Sequence, residues 1–333
     1  MTERRRGFTG SPAVPIGEVA RRLGTPALDP SLRAAARRFP VRWTDYYLGL
    51  VDADDPADPI RRIAFPEPDE LEADVSAIED PVGEREKSPV PFVVRKHPDR
   101  AILLVSSRCH VYCRFCFRRT FPDGAHRDPT PAELDGAIDW LTRQAELREV
   151  ILSGGDPLVL PDAVLRRIVA RLSAAPWLER LRVHTRAPVH DPARVTPELA
   201  AALASGLPTW VVLHFDHPRE VTPETRRAVE LFLRAGLPVL NQTVLLAGVN
   251  DDAVTLEALC RALVAARIKP YYLHHPDRVP GGGSFYVTLE RGLAIYRELR
   301  LRLGGGLALP AYVIDLPDGS GKVPVESLDS LGV

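Results

Sequence analysis

The chain has 333 residues, 45% of them apolar, and 43 lysines and arginines against 44 aspartates and glutamates, for a formal net charge of −1. That balance offers no general basic surface for a nucleic acid or an anionic membrane, and no apolar run is long enough to cross a bilayer. The first eight residues are charged with no apolar stretch behind them, which does not read as a signal peptide, so a cytoplasmic protein is expected.

Residues 1–95 form a proline-rich, acidic extension with helical stretches near 16–24 and 31–38 and loops wrapped on a larger body. Its acidic runs at 52–59 and 66–72 read as solvated linkers. Over 96–304 short apolar runs alternate with amphipathic stretches of helical period. The expected strands are 102–105, 150–152, 181–184, 210–214, 239–243 and 271–274. The expected helices are 131–145, 161–174, 196–204, 222–234, 252–266 and 288–303. Thr130-Pro131 with Glu133 and Thr222-Pro223 with Glu224 mark helix starts. Six strand–helix units predict an α/β chain, a partial (β/α)6 barrel of parallel strands with its chemistry at the C-terminal strand ends. Residues 305–333 form a separate C-terminal segment.

Three of the four cysteines fall within eight residues, Cys109-His-Val-Tyr-Cys113-Arg-Phe-Cys116, directly after the first expected strand. In a reducing compartment such a group reads as metal ligation. Three thiolates can hold three irons of a cubane and leave the fourth open to a small molecule. Zinc is the rival, but a structural zinc wants four ligands, and His110 is the one other candidate in a tight loop. Cys260, alone in a helical stretch, is expected to be a buried bystander.

Polar residues follow at later strand ends. Ser153-Gly154-Gly155-Asp156 combines a glycine pair that lets backbone approach a ligand with a carboxylate that could accept from an ammonium. His184, Arg186, His214 and Asn241-Gln242 sit at the next three, each as readily a satisfied structural group as a ligand. Near the C-terminus, Asp315-Leu-Pro-Asp-Gly-Ser-Gly-Lys322 presents one lysine on a glycine-rich loop without a Walker pattern. It suits a Schiff base to an aldehyde cofactor, or a plain surface lysine.

The x3/x2 cysteine spacing with Phe115 before the third cysteine resembles the radical S-adenosylmethionine (SAM) superfamily. From about Phe39 to Val325 the chain resembles the lysine 2,3-aminomutase family within it. The matching segments include Phe39-Pro40, Tyr46-Tyr47, Asp80-Pro81, Ser88-Pro89, Pro98-Asp99-Arg100, Cys116-Phe-Arg118-Arg119, Ser153-Gly-Gly-Asp156 and Asn241-Gln242. They continue through Leu245 to Asp251, Pro270-Tyr271-Tyr272 and the Lys322 loop.

The resemblance implies a 4Fe–4S cluster on Cys109, Cys113 and Cys116, with SAM held by Gly154, Gly155, Asp156, Arg186, His214 and Gln242. It implies pyridoxal 5′-phosphate (PLP) on Lys322, with Lys96 and Arg100 at the phosphate. Arg118 would hold the substrate carboxylate and Asp277 with Asp315 its distal ammonium. The expected reaction moves the α-amino group of L-lysine to the β-carbon by way of a 5′-deoxyadenosyl radical. Two carboxylates disfavour glutamate, and arginine is the nearest rival. A flavodoxin- or ferredoxin-type electron donor is implied, and a homo-oligomer is possible within the family.

The chain departs from the family pattern in places. Asp252 stands where larger members have a zinc-binding cysteine, and their C-terminal extension is missing, so no zinc is expected. His274 stands where the free-lysine enzymes usually have tyrosine, which with the short length resembles the branch that makes (R)-β-lysine for elongation factor P. Asp315 is instead typical of the free-lysine enzymes. A peptide-modifying radical SAM enzyme without PLP and a non-catalytic lysine-binding homologue are the rival readings; Lys322 weighs against the first and the intact cysteines against the second.

Overall fold

A computed structural model describes residues 8–25, 29–119, 127–318 and 320–328. Nine strands form one sheet in sequential order: β1 Val93–His97, β2 Arg100–Ser106, β3 Glu149–Gly154, β4 Arg180–Thr185, β5 Thr209–Leu213, β6 Val239–Val244, β7 Lys269–His274, β8 Ala311–Leu316 and β9 Gly321–Pro324. Strands β2 through β8 run parallel. β1 and β9 are antiparallel additions at the two edges.

The helices are α1 Ile16–Arg22, α2 Pro30–Arg38, α3 Asp45–Leu48, α4 Pro59–Ala64, α5 Pro131–Leu141, α6 Asp162–Ser173, α7 Ala187–His190, α8 Pro197–Leu203, α9 Pro223–Arg234, α10 Ala253–Ala265 and α11 Leu289–Leu303. Thr130 caps α5 in a capping box with Glu133, and Thr222 accepts from the Thr225 amide at the start of α9. Asp252 caps α10 by accepting from the Val254 and Thr255 amides. Cys260 is buried on that helix.

The six expected strands are β2 to β7, and β8 adds a parallel strand beyond them. β1 crosses the expected 95/96 boundary, and β8 and β9 continue the same sheet into the C-terminal segment. Strand alternation sorts the side chains. Leu103, Val105, Val150, Leu152, Leu181, Val183 and Val211 join the apolar core with Ile138, Leu165, Ile168 and Phe232 of the helices. Ile102, Ser153, Arg182, His184, Gln242, Tyr272 and His274, on the opposite parity, line an inner cavity.

No ladder joins β1 to β9, yet the two edges meet. Lys96 on β1 donates to the Asp315 carboxylate at 2.7 Å and to the Leu316 carbonyl at 3.3 Å on β8. The His97 ring lies so close to Gly321 of β9 that a Cβ there would stand 2.6 Å from it. The result is a nearly closed partial barrel, with side chains bridging the gap.

The acidic runs of the extension are not simply solvated, which corrects the linker reading. Asp58 is fully buried, caps α4 and pairs with Arg219 at 2.5 Å. Glu70 is buried between Arg114 (2.5 Å) and Arg119. Both runs therefore fasten the extension to the barrel through charge pairs, which burial makes strongly dependent on each partner. Among the described residues no helix is long and apolar enough to cross a membrane.

Candidate active site

The inner cavity holds about 500 Å³ and is lined from the C-terminal ends of β2 to β8 and from both edge strands. Every residue expected in the site lines it: Cys109, Cys113, Cys116, Gly154, Gly155, Asp156, Arg186, His214, Gln242, Lys96, Arg100, Arg118, Asp277, Asp315 and Lys322.

At one end lies the cysteine loop, which begins where β2 stops. The Gly155 amide donates to the Ser106 carbonyl at 2.5 Å and the Asp156 amide to the Arg108 carbonyl at 2.7 Å. A Cβ on Gly154, whose φ is +118°, would stand 2.3 Å from the Ser106 carbonyl oxygen. A Cβ on Gly155 would stand 2.3 Å from that of Arg108. The glycine pair thus admits the cysteine loop itself, a tertiary approach beyond the ligand approach expected of it. Behind the loop the buried His110 ring faces the Asp191 carboxylate at 3.4 Å and the Phe8 ring at 5.5 Å. Ser11 donates to Asp191 through both amide (2.6 Å) and hydroxyl (2.9 Å), which ties residues 8–11 across the loop's outer side.

Burial pushes all three thiols up, that of Cys113 to about 12. A metal must therefore draw protons off them as it binds. Among the described residues no three His, Cys, Asp or Glu side chains gather tightly enough to ligate one ion. A cubane does not ask them to, because each thiolate binds a different iron. Three cysteines around one cavity end fit that group.

Asp156 accepts from the Leu158 amide (2.9 Å), the Thr185 hydroxyl (2.7 Å) and the Arg186 amide (2.8 Å), so its carboxylate knits the ends of β3 and β4 together. Arg186 donates to Cys113 Sγ at 3.0 Å and pairs with Asp216 at 2.9 Å and Glu220 at 2.8 Å. Asn241 is occupied with the Phe215 backbone and Thr243. Gln242 lies within 3.3 Å of ring nitrogens of His184, His214 and His274, carried by β4, the end of β5 and β7. Burial holds all three imidazoles well below their usual range, His214 near 3, so they are neutral hydrogen-bonding groups at ordinary pH.

At the other end, Asp315 bridges Lys96 (2.7 Å) and Lys322 (2.8 Å). Burial would raise its carboxyl, but the two ammonium groups hold it down to about 2. Lys322 Nζ stands 5.9 Å from the centre of the Tyr272 ring. Asp277 lies in the same field, and among the described residues it has no cation paired with it. Burial, and then the neighbouring Asp315 charge, push it up to about 7. Arg118 grips Glu84 through two hydrogen bonds, 2.5 and 2.9 Å, and also donates to Ser153 Oγ and the Gly154 carbonyl at 3.1 Å each. Among the described residues every lysine and arginine lining the cavity has a carboxylate partner except Arg100.

Glu84, Asp216 and Glu220 were not legible as site residues. Glu84 sits in the acidic extension, and Asp216 and Glu220 carry no local motif. Their roles come from arginines far away in sequence.

A family model described as the Radical SAM superfamily matches residues 103–259. The L-lysine 2,3-aminomutase of Clostridium subterminale is 42% identical over 283 residues, 85% of this chain and 68% of that one. The chain belongs to the lysine 2,3-aminomutase family. It is a radical SAM aminomutase, an isomerase, and the family implies SAM and a 4Fe–4S cluster. The glutamate 2,3-aminomutase of Clostridioides difficile is 36% identical over 286 residues, 85% of this chain and 67% of that one. Substrate choice must therefore be argued from the cavity. Among solved structures, Streptococcus suis SuiB bound to S-adenosylmethionine aligns with a TM-score of 0.49 at 14% identity, covering 65% of this chain and 50% of that one.

Proposed function

We propose that this aminomutase acts on L-lysine, moving its α-amino group to the β-carbon, with PLP at Lys322 and SAM at the cysteine end of the cavity. The observation that carries the proposal is the acidic pair, Asp277 and Asp315, facing the cavity that also holds Lys322, Arg118 and the three cysteines. A substrate with a cationic tail offsets the burial, and then the Asp315 charge, that raise Asp277. A glutamate tail would add a third carboxylate to that pair.

The residues at Lys322 suit PLP. The lysine lies near the Tyr272 ring, and Arg100 is the cavity-lining cation with no carboxylate partner among the described residues, which leaves its fork available to a phosphate. Lys96 is the second cation on that side. When bound, PLP supplies an aldehyde for an amine and a ring over which unpaired spin spreads, and the cluster supplies the electron that turns SAM into a source of a carbon radical.

The protein's part is to bind, orient and exclude water. Arg118 would take the substrate carboxylate in its fork in exchange for Glu84. Asp277 would take the distal ammonium beside Asp315. Gln242 and His214 would offer neutral donors and acceptors to the ribose and carboxylate of SAM, and the backbone about Gly154 and Gly155 would receive its amino group. A flavodoxin- or ferredoxin-type protein would supply the electron.

The test is an anaerobic assay of the iron-reconstituted enzyme with SAM, PLP, dithionite and L-lysine, L-arginine or L-glutamate in turn, with products read by mass spectrometry. β-Lysine as the dominant product is expected. A preference for glutamate or arginine, or turnover without PLP, would overturn the proposal.

A further inference from the structure

We infer that Arg186 is a positioning residue of the iron–sulfur cluster, a fixed hydrogen-bond donor to the Cys113 thiolate that makes the cluster easier to reduce. The inference rests on the reading that the three cysteines hold the cluster. Arg186 Nη1 lies 3.0 Å from Cys113 Sγ and 2.9 Å from Asp216 Oδ2, and Nη2 lies 2.8 Å from Glu220 Oε1. Its amide is fixed as well, donating to Asp156 at 2.8 Å.

The two carboxylates are immobilised in turn. Asp216 accepts from the Val244 amide at 2.8 Å. Glu220 accepts from the Asp216 amide (2.6 Å), the His217 amide (3.0 Å) and the Tyr47 hydroxyl (2.8 Å). Asp216 and Glu220 are both almost fully buried. A guanidinium clamped this way cannot swing far to follow a ligand, but it can hold one hydrogen bond to sulfur in constant geometry. Such a bond stabilises the more negative, reduced cluster and so raises its potential, while Asp216 and Glu220 offset the arginine charge and lower it again. The potential would thus be set by a balance of three side chains carried by the ends of β4 and β5. The Arg186 Nε has no hydrogen-bond partner among the described residues, which makes a direct contact to SAM the rival role.

The two roles separate in a redox titration of the reconstituted cluster followed by electron paramagnetic resonance, alongside SAM affinity by equilibrium binding. Iron content is measured first on every protein; a wild type without a cluster would refute the cysteine reading and not the role of Arg186. Asp216→Asn removes one offsetting charge with little change of shape. Its midpoint should move positive, by about tenfold in the reduced-to-oxidised ratio at a fixed solution potential, with SAM affinity within about twofold of wild type. The charge-matched pair Arg186→Gln with Glu220→Gln should move the midpoint negative. If that pair does not hold iron, Asp216→Asn alone carries the test. Midpoints that stay put, or move in the opposite directions, overturn the inference. So does a tenfold or greater loss of SAM affinity at an unchanged midpoint, which would place Arg186 on SAM.

Discussion

Asp277 offers a direct test of whether the cavity is built for a cationic tail. Burial, and then Asp315, raise its carboxyl to about 7; Lys322 and Lys96 pull it down, and Glu84 adds to the rise. An unperturbed aspartate titrates at about 4, so burial and the Asp315 charge oppose ionisation of Asp277 by about 4 kcal/mol. An ammonium ion reverses that preference. Below pH 7 the carboxyl is protonated, and binding a lysine tail must release its proton. Affinity for lysine should therefore fall by about tenfold for each pH unit below about 7 and level off above it.

Other titrations in the cavity do not mimic this slope. Asp315 is held down near 2 by Lys322 and Lys96 against the opposing effect of burial, and burial keeps His214 near 3 and His275 near 4. Asp216, pushed to about 6 by burial, and His97, which burial and then Arg100 and Lys96 lower from its ordinary value, are the exceptions, and the Asp277→Asn variant separates both from Asp277. The assay is equilibrium binding of L-lysine and of L-norleucine, which lacks the ammonium, to enzyme without PLP, in which Lys96 and Lys322 keep their pairing with Asp315, between about pH 5.5 and 8.5. Lysine should show the slope with the wild type and lose it with Asp277→Asn, while norleucine stays flat with both. A flat lysine profile with the wild type, or a slope that survives in the variant, would refute the assignment of Asp277 to the substrate tail.

Arg100→Ala should weaken PLP binding on the order of tenfold to a hundredfold, as loss of a charge-assisted phosphate contact does. Iron content should stay the same, and an unchanged PLP affinity in a spectroscopic titration would remove Arg100 from the phosphate site. Glu70→Gln removes the buried carboxylate that Arg114 and Arg119 share. It should cost about 3–5 kcal/mol in chemical denaturation, and a variant as stable as wild type would show that this junction does not hold the extension in place. Gly155→Ala puts a Cβ 2.3 Å from the Arg108 carbonyl oxygen. The cysteine loop must shift, and iron incorporation after reconstitution should fall; full incorporation would show that the close approach is dispensable.

Much of the barrel was legible in the sequence because its signals are local. Thr130 and Thr222 cap their helices with side chains three residues away from the amides they meet, and β2 to β7 carry apolar runs that need no partner to be recognised. The cysteine motif is likewise complete within eight residues. β1 and β9 are different. Val93–His97 and Gly321–Pro324 are short and partly polar, and they become strands through pairing with β2 and β8.

The same division runs through the charges. The strand-end position of Arg186, and the family resemblance at Arg118, Asp277 and Asp315, marked these as residues worth placing in a site. The sequence could not say that Arg118 meets Glu84 across 34 positions, that Arg219 meets Asp58 across 161, or that Asp315 stands between Lys96 and Lys322. An aspartate in a solvated loop and one buried against an arginine have the same composition nearby. Only the fold brings the countercharge and removes the water, and those two terms decide whether a carboxylate is a linker, a fastening or a group able to read a substrate.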